Sequence, residues 1–273
     1  FYRNKTNEVI DIEKCIISNE KINEVLLKLR KFVKENDNHD ITSVMVRVCE
    51  NKTMINLDNL NDLYKDKFIK EFDNVDSIYI NNQFIYGIKE LEQEINNLKF
   101  KISPKSFFQV NINVAEGLYN KALEFVDSSD TILDLYSGTG TITMMLSKKA
   151  KKVIGIEVVK DAVKDAKNNL VLNNINNVDF ICGKVEDKIN TLKKYNIDII
   201  VMDPPRSGSD KKSLKTLLEL NPKKIIYISC NPVTLARDIN ILSEKYEVKD
   251  ISAYDMFPQT YHVETVCIME RKI

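Results

Sequence analysis

The 273 residues contain no tryptophan and carry no net charge, 40 Lys and Arg standing against 40 Asp and Glu. The balance holds along the chain: residues 1–100 carry 15 basic and 18 acidic side chains, leaving 25 and 22 for the remainder. Charge alone therefore neither selects nor excludes a nucleic-acid partner. Long apolar runs are missing too. Stretches such as Asp198 to Met202 and Lys224 to Ser229 stop after a handful of residues, far below the roughly 20 that a bilayer-spanning helix needs. Cysteine is sparse and odd in number. Cys15, Cys49, Cys182, Cys230 and Cys267 are widely spaced and mostly lie in apolar, strand-like runs, a usage that suits reduced thiols and a cytoplasmic protein. The first residue is Phe1 rather than Met and no charged-then-apolar leader follows it, so the chain reads as a fragment of a longer protein with no secretion signal. What is present is core material. With 43% hydrophobic residues, the chain can build one or two domains and is neither a disordered tail nor a small disulfide-dependent scaffold.

Two patterns divide the chain. The first hundred residues mix a helix, with Ile22, Val25, Leu26, Leu29 and Val33 on one face, and alternating runs such as Val44, Val46, Val48 and Ile78, Ile80, which predicts a small α+β unit over residues 1–97. From about Asp130, short apolar runs alternate with helical stretches: Thr131 to Tyr136, Lys152 to Glu157, Val178 to Cys182, Asp198 to Asp203 and Ile225 to Cys230. Strands spaced by helices predict a parallel, doubly wound α/β sheet. Tyr246 to Phe257 and His262 to Glu270 have no helix between them and predict a closing antiparallel hairpin. Residues 98–273 form this second domain, with a helix over Val114 to Val126 leading into it.

Chemistry-bearing residues fall at the strand ends. The first strand of the sheet runs into Asp134, Leu135, Tyr136, Ser137, Gly138, Thr139, Gly140, and two glycines at such a turn let backbone approach a ligand at the carboxyl edge of the sheet. The third glycine of G-x-G-x-x-G is absent, and so is the Lys-Ser/Thr of a triphosphate loop. That argues against a nicotinamide-dependent oxidoreductase and for a cofactor without phosphate. Glu157 ends the next strand, where a carboxylate can accept from ribose hydroxyls; adenosine without phosphate suggests S-adenosylmethionine. Asp203 leaves its strand into Pro204, Pro205 and Arg206, and two prolines hold it rigidly above the sheet. Cys230 ends the fifth strand ahead of Asn231 and Pro232, a favoured N-cap and first helical residue, so the helix dipole is expected to lower its thiol pKa. Glu264, in an otherwise apolar run, is expected to be sheltered and raised in pKa.

Together these residues resemble the S-adenosylmethionine-dependent RNA uracil-5-methyltransferases, which make 5-methyluridine in ribosomal and transfer RNA. The resemblance runs through Ser106-Phe107-Phe108-Gln109-Val110-Asn111, the glycine loop, Asp203-Pro204-Pro205-Arg206, Ser229-Cys230-Asn231-Pro232 and His262-Val263-Glu264. It implies a class I, Rossmann-like catalytic domain over 98–273 behind an RNA-contacting domain over 1–97. It implies cofactor binding by Gln109, Tyr136, Gly138, Glu157 and Asp203, with catalysis by Cys230 as nucleophile, Glu264 as base and Asp203, which would orient either the uracil ring or the methionine amine. The substrate it implies is RNA, 23S rRNA ahead of tRNA. Phe107, Phe108 or Phe257 would stack on an unstacked target nucleotide, and His262 would be structural or touch RNA. Cys15 resembles the last ligand of the iron–sulfur cluster some members hold; its three partners are absent here, so no metal is expected. Two rivals stay open: an RNA cytosine-5-methyltransferase, disfavoured because Arg206 stands where many of those carry the nucleophile, and a non-catalytic binding module on the same fold.

Overall fold

A computed structural model describes residue 3 and residues 6–37, 40–104 and 106–273, without the side chains of residues 189 and 190; Phe1 lies outside these. The chain divides into two compact units between Gln93 and Glu94.

In the first unit, helix α1 (Glu20–Glu35) starts at the N-cap Asn19, whose side chain accepts from the Lys21 N–H. Strands β1 (Ser43–Cys49) and β2 (Lys52–Asp58) form an antiparallel pair. Helix α2 (Lys65–Glu71) then crosses to β3 (Ser77–Ile80), which lies parallel to β2 and pairs with β4 (Gln83–Gly87). The β3–β4 turn is Asn81-Asn82, both at positive φ, a conformation asparagine tolerates. Phe32 from α1 and Phe68 and Phe72 from α2 interlock, Phe68 stacking on Phe72 at 4.2 Å, over Ile55, Leu57 and Ile78 of the sheet. The buried stripe of α1 is Asn23, Val25, Leu29 and Phe32. Leu26 from the expected face is exposed, and Phe32 takes its place in the buried stripe.

The division falls within β5 (Leu91–Ile95), which pairs with β6 (Leu98–Ile102) around another positive-φ pair, Asn96-Asn97. There follow α3 (Ile112–Leu123), β7 (Thr131–Leu135), α4 (Thr141–Ser147), β8 (Lys152–Glu157), α5 (Lys160–Leu172), β9 (Val178–Cys182) and α6 (Val185–Leu192). The chain continues through β10 (Ile199–Met202), α7 (Lys211–Leu220), β11 (Lys224–Ser229), α8 (Pro232–Leu242), β12 (Tyr246–Tyr254) and β13 (Glu264–Arg271). The seven-stranded sheet has the order β12-β13-β11-β10-β7-β8-β9. Its five central and far strands are parallel and β13 runs antiparallel to both β11 and β12. The two-sided winding and the closing hairpin agree with the sequence-based expectation. Because the chain begins in the middle at β7, winds outward to β9 and then returns to the other side of β7 as β10, the connections diverge between β7 and β10. That divergence opens a crevice at the carboxyl ends of the strands.

Candidate active site

Each candidate residue arrives at that crevice for a local reason. At the exit of β7, Tyr136 takes a positive φ of 62°, an uncommon state for an aromatic residue, and its hydroxyl lies 2.9 Å from that of Ser209. A Cβ on Gly138 would meet nothing within 4 Å, so this backbone faces open space; one on Gly140, at φ 85°, would come within 2.6 Å of the Phe180 ring. Gly155, in the interior of β8, is needed for the same ring, which a Cβ there would meet at 2.5 Å. The Glu157 carboxylate accepts from the Gly138 N–H at 3.0 Å and from the Val159 N–H at 2.8 Å. It thereby ties the glycine loop to the start of α5 while each oxygen keeps a further lone pair. A groove beside it is lined by Tyr136, Ile156, Glu157, Val158, Lys184 and Val185.

On the other side, β10 delivers Asp203 and β11 delivers Cys230. The Asn231 side chain caps α8 by accepting from the Val233 N–H at 3.1 Å, and its amide donates to the Arg206 carbonyl at 3.2 Å. Antiparallel register then fixes the last member: Ser229 pairs with Thr265, so Glu264 begins β13 beside the Cys230 turn, 5% exposed.

The electrostatics are unusual. Burial raises the Glu264 carboxyl above its ordinary range. Asp203 is pushed up to about 8 by burial and by the charges of Glu264 and Asp134. Asp134 is pushed up to about 7, chiefly by burial, although Thr143 donates a hydrogen bond to its Oδ2. Its Oδ1 is buried with no hydrogen-bond partner. The half-buried Cys230 thiol is raised rather than lowered, by burial first and then by Glu264 and Asp203, with Arg206 opposing. This corrects the expectation of a dipole-activated thiolate: two nearby carboxyls and desolvation outweigh one helix terminus, which supplies only about half a charge.

Gln109 is half-buried and bonds to the hydroxyl of the buried Tyr119 on α3, a phenol raised by burial and by the charge of Asp203. Phe107 is exposed, but Phe108 is buried against Phe100, their rings 5.5 Å apart. Phe108 is therefore core and not a stacking partner. Phe257 is half-buried, its ring edge-on to His262 at 5.9 Å.

Several residues escaped the sequence reading. Asp238, fully buried on α8, accepts from the Tyr227 hydroxyl at 2.6 Å, the Ser209 N–H at 2.8 Å and Arg237 Nε at 2.8 Å. Arg237 also donates to the carbonyls of Ser207 and Ser209. The pair clamps the loop that carries Asp203 and Arg206, and Gly208 leaves room for it, since a Cβ there would sit 2.5 Å from Arg237. An acid (Asp134) within an apolar strand was the available signal; Asp238, in a helix that also carries Thr234, Arg237 and Asn240, and Tyr119 gave none. Among the described residues no group of three or more His, Cys, Asp or Glu is arranged for a metal ion, and no helix is long and apolar enough to cross a membrane.

Comparison with known proteins identifies the family. The family model for tRNA (uracil-5-)-methyltransferase matches residues 50–272. An uncharacterized RNA methyltransferase of Fusobacterium nucleatum is 38% identical over the whole chain, which covers 66% of that relative. One from Staphylococcus epidermidis is 37% identical, with 100% of the chain and 67% of the relative covered. The chain thus spans about two thirds of the length of these relatives. Among solved structures, the Pyrococcus abyssi tRNA (uracil-54, C5)-methyltransferase in complex with S-adenosyl-L-homocysteine superposes with a TM-score of 0.80 at 28% identity, covering 98% of this chain and 72% of that one. M. jannaschii TYW2 in complex with AdoMet shares the fold alone, with a TM-score of 0.54 at 18% identity, covering 84% of this chain and 100% of that one. A family model that matches residues 50–272, with relatives 37–38% identical over the whole chain, leaves one assignment: the chain belongs to the tRNA (uracil-5-)-methyltransferase family.

Proposed function

We propose that this chain transfers a methyl group from S-adenosylmethionine to carbon 5 of a uridine in RNA, 23S rRNA ahead of tRNA, through a temporary bond between Cys230 and carbon 6 of the base. The observation that carries the reading is the meeting of Cys230, Glu264 and Asp203 in one crevice, close enough that both carboxyls act on the thiol. The cofactor fits the opposite wall. Gly138 presents backbone to open space, Glu157 has lone pairs left for ribose hydroxyls, and Ile156, Val158 and Val185, with Tyr136 beside them, offer an apolar bed for a base. When bound, S-adenosylmethionine supplies an electrophilic methyl group.

Carbon 5 of uracil is a weak nucleophile until something adds to carbon 6. Cys230, which is only partly buried, gives its proton to solvent, and its sulfur forms the bond to carbon 6, pushing the carbon 5–carbon 6 electron pair into an enolate. Asp203, held protonated near neutrality by its surroundings, can donate a hydrogen bond to the developing oxyanion, as a neutral acid in a low-dielectric site does. Carbon 5 then takes the methyl group. Glu264, with its raised carboxyl, removes the carbon 5 proton; the electrons restore the double bond and expel Cys230. The base must leave its stack to enter, and the exposed Phe107 at the rim suits a stacking contact.

RNA carrying 5-fluorouridine tests the reading, because fluorine cannot be removed as a proton. A covalent protein–RNA species is expected with the unaltered chain and none with Cys230→Ala. Persistence of the adduct in the variant would overturn the nucleophile, and a 5-fluorocytidine adduct in its place would favour the cytosine enzyme. Mapping 5-methyluridine in 23S rRNA and in tRNA from cells lacking the protein decides between the two RNAs.

A further inference from the structure

The loop that leads into Glu264 carries an aromatic cluster whose composition neither the fold nor the chemistry above requires. Tyr261 is 82% exposed, among the most exposed large side chains of the second unit. Its ring lies 4.3 Å from that of His262, which in turn meets Phe257 edge-on. The Arg206 guanidinium sits 5.7 Å from the centre of the Tyr261 ring, and an Arg206 N–H donates to the Tyr261 hydroxyl at 3.3 Å. The loop is set by its own bonds: the Thr260 hydroxyl donates to the Phe257 carbonyl at 2.7 Å and accepts from the His262 N–H at 3.2 Å, while Gln259 takes a positive φ. An unpacked ring held in place this firmly is not a mobile surface residue.

Its position is informative. Arg206 follows the Asp203-Pro204-Pro205 strand exit, and its carbonyl accepts from the amide of Asn231, the residue after Cys230, so Tyr261 is held against a residue bonded to the Cys230 turn. A ring that is open to solvent, polarised by a guanidinium and next to a site that admits an unstacked nucleotide has the properties of a base-stacking platform. We propose that Tyr261, supported by Arg206 and His262, stacks on the nucleobase adjacent to the target uridine and so holds the strand open on one side of it. This rests on the RNA reading above and adds to it a residue that selects single-stranded over paired flanks, because a base within a duplex has no free face to offer.

The test uses a single-stranded 12-nucleotide RNA with one central 5-fluorouridine and 2-aminopurine placed on its 5′ side in one version and its 3′ side in another. Binding is followed by anisotropy and stacking by 2-aminopurine fluorescence. One of the two versions is expected to be quenched by the unaltered chain. Tyr261→Ala is expected to lose that quenching and about tenfold in affinity, in line with the loss of one base–aromatic contact. Tyr261→Trp is expected to retain both, which separates stacking from a general disturbance of the loop, and melting curves of each variant verify folding. Equal affinity and equal fluorescence for Tyr261→Ala and the unaltered chain would overturn the proposal, as would loss of affinity that Trp does not restore. The covalent adduct reports separately: an adduct with no Tyr261-dependent quenching sinks the platform alone, while Tyr261-dependent quenching without any adduct sinks the Cys230 mechanism and leaves the platform standing.

Discussion

The two units bury different kinds of group. The core of the first is hydrocarbon, three interlocked phenylalanines over an apolar sheet face, and its buried polar residues are neutral: Asn23, Asn36, Thr53, Asn56 and Ser77. Among the described residues, the buried acids Asp130, Asp134, Asp238 and Glu264 all belong to the second unit. Two of those acids are kept in an expensive state. Burying a carboxyl without full hydrogen bonding works against folding, so the Asp134–Asp203–Glu264 group is held in place by the apolar sheet beneath it. Asp238 shows the alternative within the same unit, with every oxygen engaged. The cysteines tell the same story. Cys49 of the first unit is pushed up to about 11, mainly by burial, which nothing short of unfolding reverses. Cys230 is raised by burial first and then by the charges of Glu264 and Asp203, and that second part is one that protonation or a bound substrate can cancel. A reactive thiol here is one whose restraint is removable.

The contrast can be broken first at Glu264. Glu264→Gln is expected to slow product formation by about 10²-fold or more, the usual scale for loss of a positioned base, and to accumulate a methylated covalent protein–RNA species visible by mass spectrometry. Normal turnover would move the base elsewhere. Next, Phe68→Ala, in the hydrocarbon core, is expected to cost about 3–5 kcal/mol of stability in a denaturant titration without altering the pH at which Cys230 is alkylated. The third effect has the opposite sign. Asp203 has its carboxyl raised from 3.8 to about 8 by folding, so its contribution to stability is present below the lower value and is lost as pH rises through the upper one. Asp203→Asn is therefore expected to melt at increasingly higher temperature than the unaltered chain between pH of about 4 and 8. Removing that negative neighbour is also expected to shift iodoacetamide labelling of Cys230 to lower pH. A melting difference independent of pH would show that the acid is not strained by burial.

Much of this site was legible without coordinates. The order of strands and helices from Thr131 onward follows from apolar runs of strand length bounded by turn residues, and the strand ends fall within three residues of those expected. The capping of α8 by Asn231 with Pro232 behind it follows from local chemistry alone. What escaped depended on partners distant in sequence. Phe107 and Phe108 are indistinguishable neighbours until β6 supplies Phe100 to bury one of them. The clamp of Arg237 and Asp238 on residues 206–209 joins segments about 30 positions apart. The direction of the Cys230 shift could not be read from its own helix, because the residues that reverse it arrive from β10 and β13.

The chain's own sequence determined which chemical groups stand at strand ends, since period-two apolar patterning, glycine turns and proline exits act over a few residues and need no distant partner. Only the tertiary structure decided which of those groups share a crevice and with what charge. Winding outward from β7 and back to β10, then pairing β13 antiparallel to β11, brings Gly138, Asp203, Cys230 and Glu264 to one edge. Electrostatic energy there depends on separation and on exclusion of water, quantities that exist only once the sheet is assembled.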